Sequence, residues 1–298
     1  MNRVLLTGAS SFIGGALARR LGQDGIAVHA VLRPSSDRAR LADISGLTEH
    51  VHDGTTDSLV AILSAAQPDV IFHLAGKYLR EHTSANMSDL MRDNIIFGCQ
   101  LLEAMRATGA RRLVHAASFF QHMDGAGYRP LNLYAATKQA FEDLLAYYAD
   151  ACGYAAVSLV LFDVYGKGDW RQRLVPSILR AVRTGDAVSL PADDPRVDLV
   201  YVDDVVEAFV AAGRMLLEKP ESVAGRRFAV APERRYTLSE VITAFESASG
   251  RPIPVKRGAW PAPARAIMES WRGPPVPGWR TKISLDEGVR RLLAEPQI

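Results

Sequence analysis

The architecture of this chain can be predicted from a short segment near its start, Arg3-Val4-Leu5-Leu6-Thr7-Gly8-Ala9-Ser10-Ser11-Phe12-Ile13-Gly14. Residues 3–6 are a short, largely apolar run, which is typical of a buried strand. After the glycine-containing turn, apolar residues recur at helical spacing, at positions 12, 13, 16, 17 and 21. A strand, a glycine turn and a helix in this order are typical of a dinucleotide site, because the helix N-terminus offers free N–H groups to a pyrophosphate.

Each residue of this turn has a predicted part in holding the pyrophosphate. Gly8 allows the tight turn, and Gly14 lets the helix pack closely on the sheet. Ser11 stands where the pattern usually has its middle glycine, so a hydroxyl donor is gained while the backbone is less free to approach the phosphate. A tight strand-to-helix turn without a ligand is the alternative interpretation. The predicted cofactor contacts in this segment are Gly8, Ser10, Ser11, Phe12, Ile13 and Gly14.

The end of the second predicted strand, 26–32, indicates which dinucleotide is bound. An NAD site usually places a carboxylate there, on the ribose 2′-hydroxyl. Here Arg33 directly follows the strand, and the first acidic residue after the strand is Asp37. An arginine accommodates a 2′-phosphate through charge-assisted hydrogen bonds, so NADP is favoured over NAD, with Ser35 or Arg38 as further contacts. The alternative is a solvated arginine in the loop after the strand.

Strands and helices continue to alternate along the first half of the chain. Further strands are predicted at 47–54, 69–74 and 112–117, and a helix at 94–105. This alternation predicts an α/β fold with a doubly wound parallel sheet, in which ligands bind beyond the carboxyl ends of the strands. The residues predicted at those ends are Gly8, Asp53, Gly76 and Ser118.

The next helical run, 131–148, contains two polar residues four positions apart, Tyr134 and Lys138. Positions i and i+4 lie on one face of a helix, so the phenol and the ammonium group can converge. A nearby cation lowers the pKa of a phenol from about 10, which makes the phenol a usable proton donor or acceptor near neutral pH. The same spacing also occurs on amphipathic helices whose lysine simply reaches solvent. The strand-turn-helix segment at the N-terminus favours the catalytic interpretation.

Composition limits the other functions. The 298 residues are 48% hydrophobic, enough for a large core, and the formal net charge of +2 does not indicate nucleic acid or an anionic membrane as a partner. Cys99 and Cys152 have no further cysteine or histidine cluster nearby, so neither a disulfide framework nor a metal site is predicted. No membrane-spanning run and no signal peptide are recognised, so a cytoplasmic location is expected.

Taken in order, the motifs resemble those of the extended short-chain dehydrogenase/reductases, the NAD-dependent epimerase/dehydratase family that acts on nucleotide sugars. The matching segments are TGASSFIG (7–14), HLAG (73–76), NIIFGCQLLEA (94–104), Ser118, YAATK (134–138), LFDVYGKGD (161–169), YVDDVVEAF (201–209) and PGWRTKISLDEGVRRLL (277–293). The resemblance covers essentially the whole chain and implies a Rossmann-type, NAD(P)-dependent enzyme.

The segment 118–148, together with LFDVYGKGD, resembles more closely the CDP-abequose synthase-like branch of this family. Two features match that branch: the short interval between Ser118 and Tyr134, and Asp163 where relatives commonly have asparagine. The resemblance implies NADPH-dependent reduction of the 4-keto group of an NDP-4-keto-6-deoxy (or 3,6-dideoxy) hexose in deoxysugar biosynthesis. The expected substrate is a CDP- or dTDP-linked sugar.

The resemblance also implies roles for individual residues. Tyr134 protonates the ketone oxygen, Lys138 binds the nicotinamide ribose and lowers the pKa of Tyr134, and Ser118 binds the same ketone oxygen; Asn94 supports the site or caps a helix. Further cofactor contacts are expected from Arg33, Asp53, Gly54, Leu74, Ala75, Gly76, Lys138 and Phe162. Substrate contacts are expected from Lys77, Gln121, His122, Asp163, Arg171, Arg173 and Arg235, with Arg257 and Trp260 as further candidates.

The alternation of strands and helices becomes irregular after about residue 166, where prolines precede a predicted strand at 196–202 and a helix at 203–217. We assign 1–165 and 198–218 to the dinucleotide-binding Rossmann domain. We assign 166–197 and 219–298 to a smaller, C-terminal nucleotide-sugar-binding lobe. The family resemblance also implies a homodimer, formed by the helices at 86–109 and 131–151.

Two other functions are compatible with the sequence. An NDP-hexose 4-epimerase with retained NAD would share the fold; Arg33 and the shortened loop before Tyr134 weakly disfavour it. A non-catalytic nucleotide-sensing protein belongs to a different class. The intact set Ser118, Tyr134 and Lys138 disfavours that second alternative, because a sensor has no need of an activated phenol.

Overall fold

The computed structural model describes residues 1–125, 127–258 and 265–294. The strands within these residues are β1 (Arg3–Thr7), β2 (Ala27–Leu32), β3 (Leu47–Val51), β4 (Val70–His73), β5 (Arg112–Ser118), β6 (Ala155–Leu161), β7 (Asp163–Tyr165), β8 (Val188–Leu190), β9 (Arg196–Val197), β10 (Leu199–Tyr201), β11 (Arg227–Val230), β12 (Tyr236–Thr237) and β13 (Val255–Arg257). Seven of them form one sheet in the order β11-β6-β5-β4-β1-β2-β3, and every neighbouring pair is parallel.

Helices connect and cover these strands. Those within the described residues are α1 (Phe12–Gln23), α2 (Thr56–Ala66), α3 (Met87–Met91), α4 (Phe97–Thr108), α5 (Leu133–Cys152), α6 (Leu174–Thr184), α7 (Val202–Glu218), α8 (Leu238–Ser249) and α9 (Leu285–Leu293). Single turns of 3₁₀ helix occur at Ala39–Leu41, Phe119–Gln121 and Pro220–Ser222, and a π-helical segment at Arg92–Ile96 leads into α4.

The sheet is buried on both faces, which explains why its strands are apolar at successive positions. In β1, Val4 and Leu6 pack in one core with α1 and α7, whereas Leu5 packs in a second core with α2, α4 and α5. Side chains alternate between the faces of a strand, so both faces need apolar residues. This arrangement confirms the predicted doubly wound parallel sheet.

The run predicted as one strand at 196–202 is two strands, and this part of the prediction is wrong. β9 pairs antiparallel with β12, whereas β10 pairs parallel with β7. Asp198 lies between them with a side chain only 1% exposed, and its carboxylate accepts hydrogen bonds from Arg235 and Ser270. The two halves differ because each hydrogen-bonds to a different strand on either side of this buried acid.

The second half of the chain supplies smaller sheets and the end of the large one. β8 pairs with β13, and α6 and α9 each pack against α8. β11 falls within the range 219–298 that we assigned to the lobe, yet it pairs with β6 at the edge of the central sheet. Within the described residues, no helix combines the length and apolar character that a membrane crossing requires.

Candidate active site

The glycine turn after β1 has the geometry that a close approach to phosphate requires. Gly8 has a φ of 79°, and a Cβ atom there would lie 2.7 Å from the backbone nitrogen of Ala75. A Cβ atom on Gly14 would overlap the carbonyl oxygen of Gly8. Both positions therefore accept only glycine without rearrangement, because the turn is compressed between the start of α1 and the end of β4.

Ser11 takes the place of the middle glycine without backbone strain. Its φ of −80° and ψ of 165° are ordinary for any residue, and its hydroxyl accepts a hydrogen bond from the Gly14 N–H at 3.1 Å. Ser11 is thus the N-cap of α1. The N–H groups of Phe12 and Ile13 follow in the first turn, where a helix has no internal acceptors for them, so this end of α1 suits an anion.

The remaining predicted cofactor residues lie along the same edge of the sheet. Leu74 and Ala75 contact the turn at Gly8, and the Gly76 Cβ position faces the Lys138 ammonium at 3.3 Å. Asp53 follows β3, and its carboxylate accepts from the N–H and hydroxyl of Thr55 at the start of α2. Gly54 accepts from the side chain of Gln100, and Phe162, after β6, stacks on Phe119 with ring centroids 5.0 Å apart.

Arg33 lies directly after β2, with 67% of its side chain exposed. Its guanidinium is 3.2 Å from the carboxylate of Asp93, which also binds Arg92. Arg33 is therefore accessible at the position that selects between the two dinucleotides, although an acid competes for its charge.

Ser118, Tyr134 and Lys138 come from two adjacent elements, the end of β5 and the first turns of α5. The side chain of Asn132 accepts from the Ala135 N–H at 3.0 Å and fixes where α5 begins. The Ser118 hydroxyl accepts from the Phe120 N–H at 3.3 Å and donates to the Tyr134 hydroxyl. Two potential partners of one substrate oxygen are thereby held together.

Burial raises the pKa of Tyr134 to about 12, and this outweighs the lowering by the Ser118 hydrogen bond and the Arg173 charge. The predicted lowering by Lys138 is wrong for this arrangement. The Lys138 ammonium donates instead to the Ala116 carbonyl oxygen at 2.9 Å. Tyr134 is therefore a protonated phenol across the neutral range.

Lys138 is 5% exposed, and burial lowers its pKa to about 8, while the charge of Glu142 opposes that shift. An ammonium group with this pKa is only partly protonated on the alkaline side of neutrality. Its charge state therefore depends closely on its surroundings.

Asn94 connects α5 to the loop after β4. Its Oδ1 accepts from the Lys77 N–H at 2.6 Å, and its Nδ2 donates to the Lys77 carbonyl at 3.0 Å and to the Thr137 hydroxyl at 2.8 Å. Asn94 lies inside the π-helical segment, so the alternative of a capping role is wrong. Its function here is to hold Gly76 and Lys77 beside Lys138.

Three of the predicted substrate residues lie near Tyr134 or on the loop beside it. Arg173 acts on Tyr134 through its charge and lies 4.8 Å from the ring centroid of Tyr78, whose ring meets that of Tyr134 edge-on at 5.1 Å. Asp163 is 3.9 Å from Arg173, and burial raises the pKa of this carboxyl to about 6. Lys77, on the loop after β4, is bound to Asp89 at 2.5 Å.

The other predicted substrate residues have partners within the protein. Gln121 is fully buried, and its amide accepts from the Ser118 N–H and donates to Gln139 and Glu142. His122 is 4% exposed and bonds to Gly127 and Arg227. Their burial argues against contact with a sugar, because both side chains already stabilise the interior.

Two predicted arginines are also engaged. Arg235 donates to Asp198 and to the carbonyls of Met268 and Arg196, and Asp198 additionally binds Arg272. Arg171 binds Asp169 through two nitrogens, donates to the Val164 carbonyl and lies 4.4 Å from the ring centroid of Phe12.

Arg171 thus packs against the cofactor turn, and Arg235 stabilises the region around β9 and β12. Arg257 donates to the Ser239 hydroxyl and the Asp193 carbonyl. Trp260 lies outside the described residues.

A comparison with family models identifies the chain. Residues 4–231 match the model described as "NAD dependent epimerase/dehydratase family". The chain belongs to this family. The match agrees with the sequence motifs, which resemble those of the extended short-chain dehydrogenase/reductases. The protein is therefore an NAD(P)-dependent enzyme with a Rossmann-type sheet.

Relatives within the epimerase/dehydratase family include two kinds of enzyme. UDP-glucose 4-epimerase of Mycolicibacterium smegmatis is 30% identical, over 98% of this chain and 97% of its own. CDP-abequose synthase of Salmonella muenchen is 24% identical, with the same two coverages. Among solved structures, UDP-glucose 4-epimerase of Thermus thermophilus in complex with NAD superposes with a TM-score of 0.78 at 27% identity, covering 98% of this chain and 97% of that one.

Proposed function

We propose that this enzyme uses NADPH to reduce the 4-keto group of a CDP- or dTDP-linked 4-keto-6-deoxy (or 3,6-dideoxy) hexose. The observation that carries the proposal is the protonated phenol of Tyr134, hydrogen-bonded to Ser118 beside the cofactor edge of the sheet. Reduction of a ketone needs a proton donor at the oxygen that becomes the hydroxyl. The similarity to CDP-abequose synthase supports the same reaction class.

The residues divide the chemistry in a simple way. NADPH, when bound, supplies the hydride. Tyr134 donates its proton to the ketone oxygen, and Ser118 donates a hydrogen bond that fixes this oxygen and stabilises its developing charge. Lys138 binds the nicotinamide ribose through its charged ammonium group. Arg173, Asp163 and Lys77 are the charged side chains that we assign to the sugar nucleotide.

The choice of NADPH rests on Arg33, an exposed guanidinium at the end of β2. Arg33→Ala is expected to raise the dissociation constant for NADPH by about tenfold, the loss of one charge-assisted contact, and to leave that for NADH unchanged. Asp93→Asn is the matched variant: it frees Arg33 from its acid and is expected to tighten NADPH binding. Equal effects of Arg33→Ala on both cofactors, measured by fluorescence titration, would contradict the assignment.

A second candidate is an NDP-hexose 4-epimerase, which the 30% identity to a UDP-glucose 4-epimerase favours. An epimerase must first oxidise a hydroxyl, and this step requires a base at the position of Tyr134. A reductase needs the same phenol as the acid, so Tyr134 suits both reactions and does not distinguish them. The exposed guanidinium of Arg33, which suits the 2′-phosphate of NADPH, supports the reductase over an epimerase with retained NAD.

NADPH absorbance, followed with a panel of NDP-4-keto-6-deoxyhexoses, tests the proposal. Consumption of NADPH equal to the sugar supplied, lost in Tyr134→Phe, is the expected result. Interconversion of UDP-hexoses without consumption would favour the epimerase instead. Binding of nucleotides without either activity would favour a sensor.

We also propose that the enzyme is a homodimer formed by α4 and α5. Tyr147 on α5 is 64% exposed, and Ile96, directly before α4, is 52% exposed. Large apolar side chains at such exposure are suited to an interface. A monomer in light scattering at micromolar concentration would contradict this.

A further inference from the structure

Glu142 lies one helical turn beyond Lys138 on α5 and has no part in the reaction described above. Residues four apart lie on the same helix face, so the Glu142 carboxylate points toward the interior, as the buried Lys138 ammonium does. Only 8% of the Glu142 side chain is exposed. A buried carboxylate is costly unless it is paired, so its surroundings should show what it stabilises.

Two residues from other elements hold the Glu142 carboxylate. Gln121, after β5, donates to its Oε2 at 2.6 Å, and Arg227, on β11, approaches the same oxygen at 3.3 Å. The other oxygen, Oε1, is buried and makes no hydrogen bond within the described residues. Gln121 also accepts the Ser118 N–H at 3.0 Å, so the acid is joined to the catalytic strand end.

The titratable groups that face Lys138 leave Glu142 as its counter-charge. His73 on β4 and His115 on β5 are buried, and burial lowers the pKa of both far below neutrality, so neither is charged at neutral pH. Tyr134 on α5 is a protonated phenol, and Asn94 has no charge. Arg227 is a further cation on β11 and binds Glu142 directly.

Within the described residues, Glu142 is accordingly the acid whose charge acts on Lys138. It raises the pKa of Lys138, whereas burial lowers that pKa. Without it, a lysine surrounded by neutral imidazoles and a phenol would release its proton more readily.

We propose that Glu142 is a positioning residue whose buried carboxylate, held by Gln121 and Arg227, keeps the Lys138 ammonium charged. The importance of that charge rests on the proposed function, in which the Lys138 ammonium binds the nicotinamide ribose. The state of Lys138 itself is a property of the protein alone and can be measured without substrate.

The pH dependence of Lys138 acetylation by acetic anhydride tests the proposal, because only the uncharged amine reacts. Labelling is quantified by mass spectrometry in the full-length wild type, in Glu142→Gln and in Asp143→Asn. Each profile is scaled to its own plateau, so that reagent access cancels. Asp143 is the matched control, since it is an exposed acid on the next position of α5 and accepts from Gln139.

The midpoint for Lys138 is expected to fall by about one pH unit or more in Glu142→Gln and to stay unchanged in Asp143→Asn. An unchanged midpoint in Glu142→Gln would overturn the proposal. If Glu142→Gln does not fold, Arg227→Gln provides the second test, because it removes the cation that holds the carboxylate. Its midpoint should rise, because a neighbouring cation is lost while the Glu142 carboxylate keeps its charge, and no rise would also overturn the proposal.

Turnover separates a charge effect from a structural one. In Glu142→Gln, kcat should be lost mainly on the alkaline side of the pH profile and approach the wild-type value toward acid pH. A uniform loss at all pH values would contradict a role through Lys138. Glu142→Asp retains the charge and should restore part of the alkaline activity. If Tyr134→Phe is as active as wild type, the proposed function fails, whereas the labelling result still decides the role of Glu142.

Discussion

Replacing Asn94 by alanine gives a test of how the loop after β4 is held against α5. The side chain is 4% exposed and satisfies both backbone polar groups of Lys77 while also donating to Thr137. Thr137 keeps a partner in Asn94→Ala because its hydroxyl donates to the Tyr134 carbonyl at 2.8 Å. The loss therefore falls on the two groups of Lys77.

An unsatisfied buried polar group costs about 1–3 kcal/mol, and Lys77 is half-buried, so water replaces part of what is lost. We expect Asn94→Ala to lower the free energy of unfolding by about 2 kcal/mol. In a chain of this length that corresponds to a fall of about 4 °C in Tm. The Asn94 amide also lies beside the Gly76 position that faces Lys138, so kcat should fall together with Tm.

Thermal unfolding followed by circular dichroism, together with cofactor titration, measures both effects. Asn86→Ala is the control, because within the described residues the Asn86 side chain accepts a single hydrogen bond, from the Thr83 N–H, in an exposed turn. The interpretation is refuted if Asn94→Ala unfolds at the wild-type temperature, or if Asn86→Ala produces an equal change.

Three further variants probe other parts of the structure. Gly8→Ala should weaken NAD(P)H binding by about tenfold or more, roughly 1.4 kcal/mol. Gly25 is the control, because its φ is 75° but a Cβ atom there would have nothing within 4 Å, so Gly25→Ala introduces only backbone strain. Equal dissociation constants for the two variants in a titration would contradict this. Asp163 has a raised pKa of about 6, so the folded protein gains stability from it below the ordinary carboxyl pKa and loses that stability as pH rises through 6. Asp163→Asn should therefore raise Tm at pH 8 and leave it unchanged near pH 4, and a rise of the same size at both pH values would exclude the titration. Arg235→Met should lower the free energy of unfolding by about 2 kcal/mol through the buried Asp198 and leave KM unchanged; a raised KM at unchanged Tm would restore the predicted substrate contact.

The features predicted correctly from the sequence are those that local geometry determines. The turn at Gly8 and Gly14 depends on a few consecutive residues, and the position of Tyr134 and Lys138 on one helix depends on helical spacing alone. The parallel sheet follows from the alternation of apolar runs.

The features that sequence reasoning missed depend on partners distant in the chain. Gln121 appeared to be a sugar contact because it follows Ser118, but it binds Glu142 on the next helix. Arg235 appeared to be a substrate contact, yet it neutralises the carboxylate of Asp198. The pKa of Tyr134 could not be derived from its spacing to Lys138, because burial of the phenol outweighs the charges near it. The family resemblance pointed to Asn94, but its contacts with Lys77 and Thr137 depend on a π-helical segment that residue spacing does not indicate.

The central claim, that a proton from Tyr134 and a hydride from exogenous cofactor reduce a sugar ketone, is tested most directly by isotope transfer. The enzyme is given NADPH deuterated at the transferable hydrogen and an NDP-4-keto-6-deoxyhexose, and the product sugar is examined by NMR. We predict one deuterium at C4 of every product molecule and no product from Tyr134→Phe. Sugar that turns over while its C4 hydrogen derives from another sugar molecule, or from cofactor retained on the enzyme, would contradict the account.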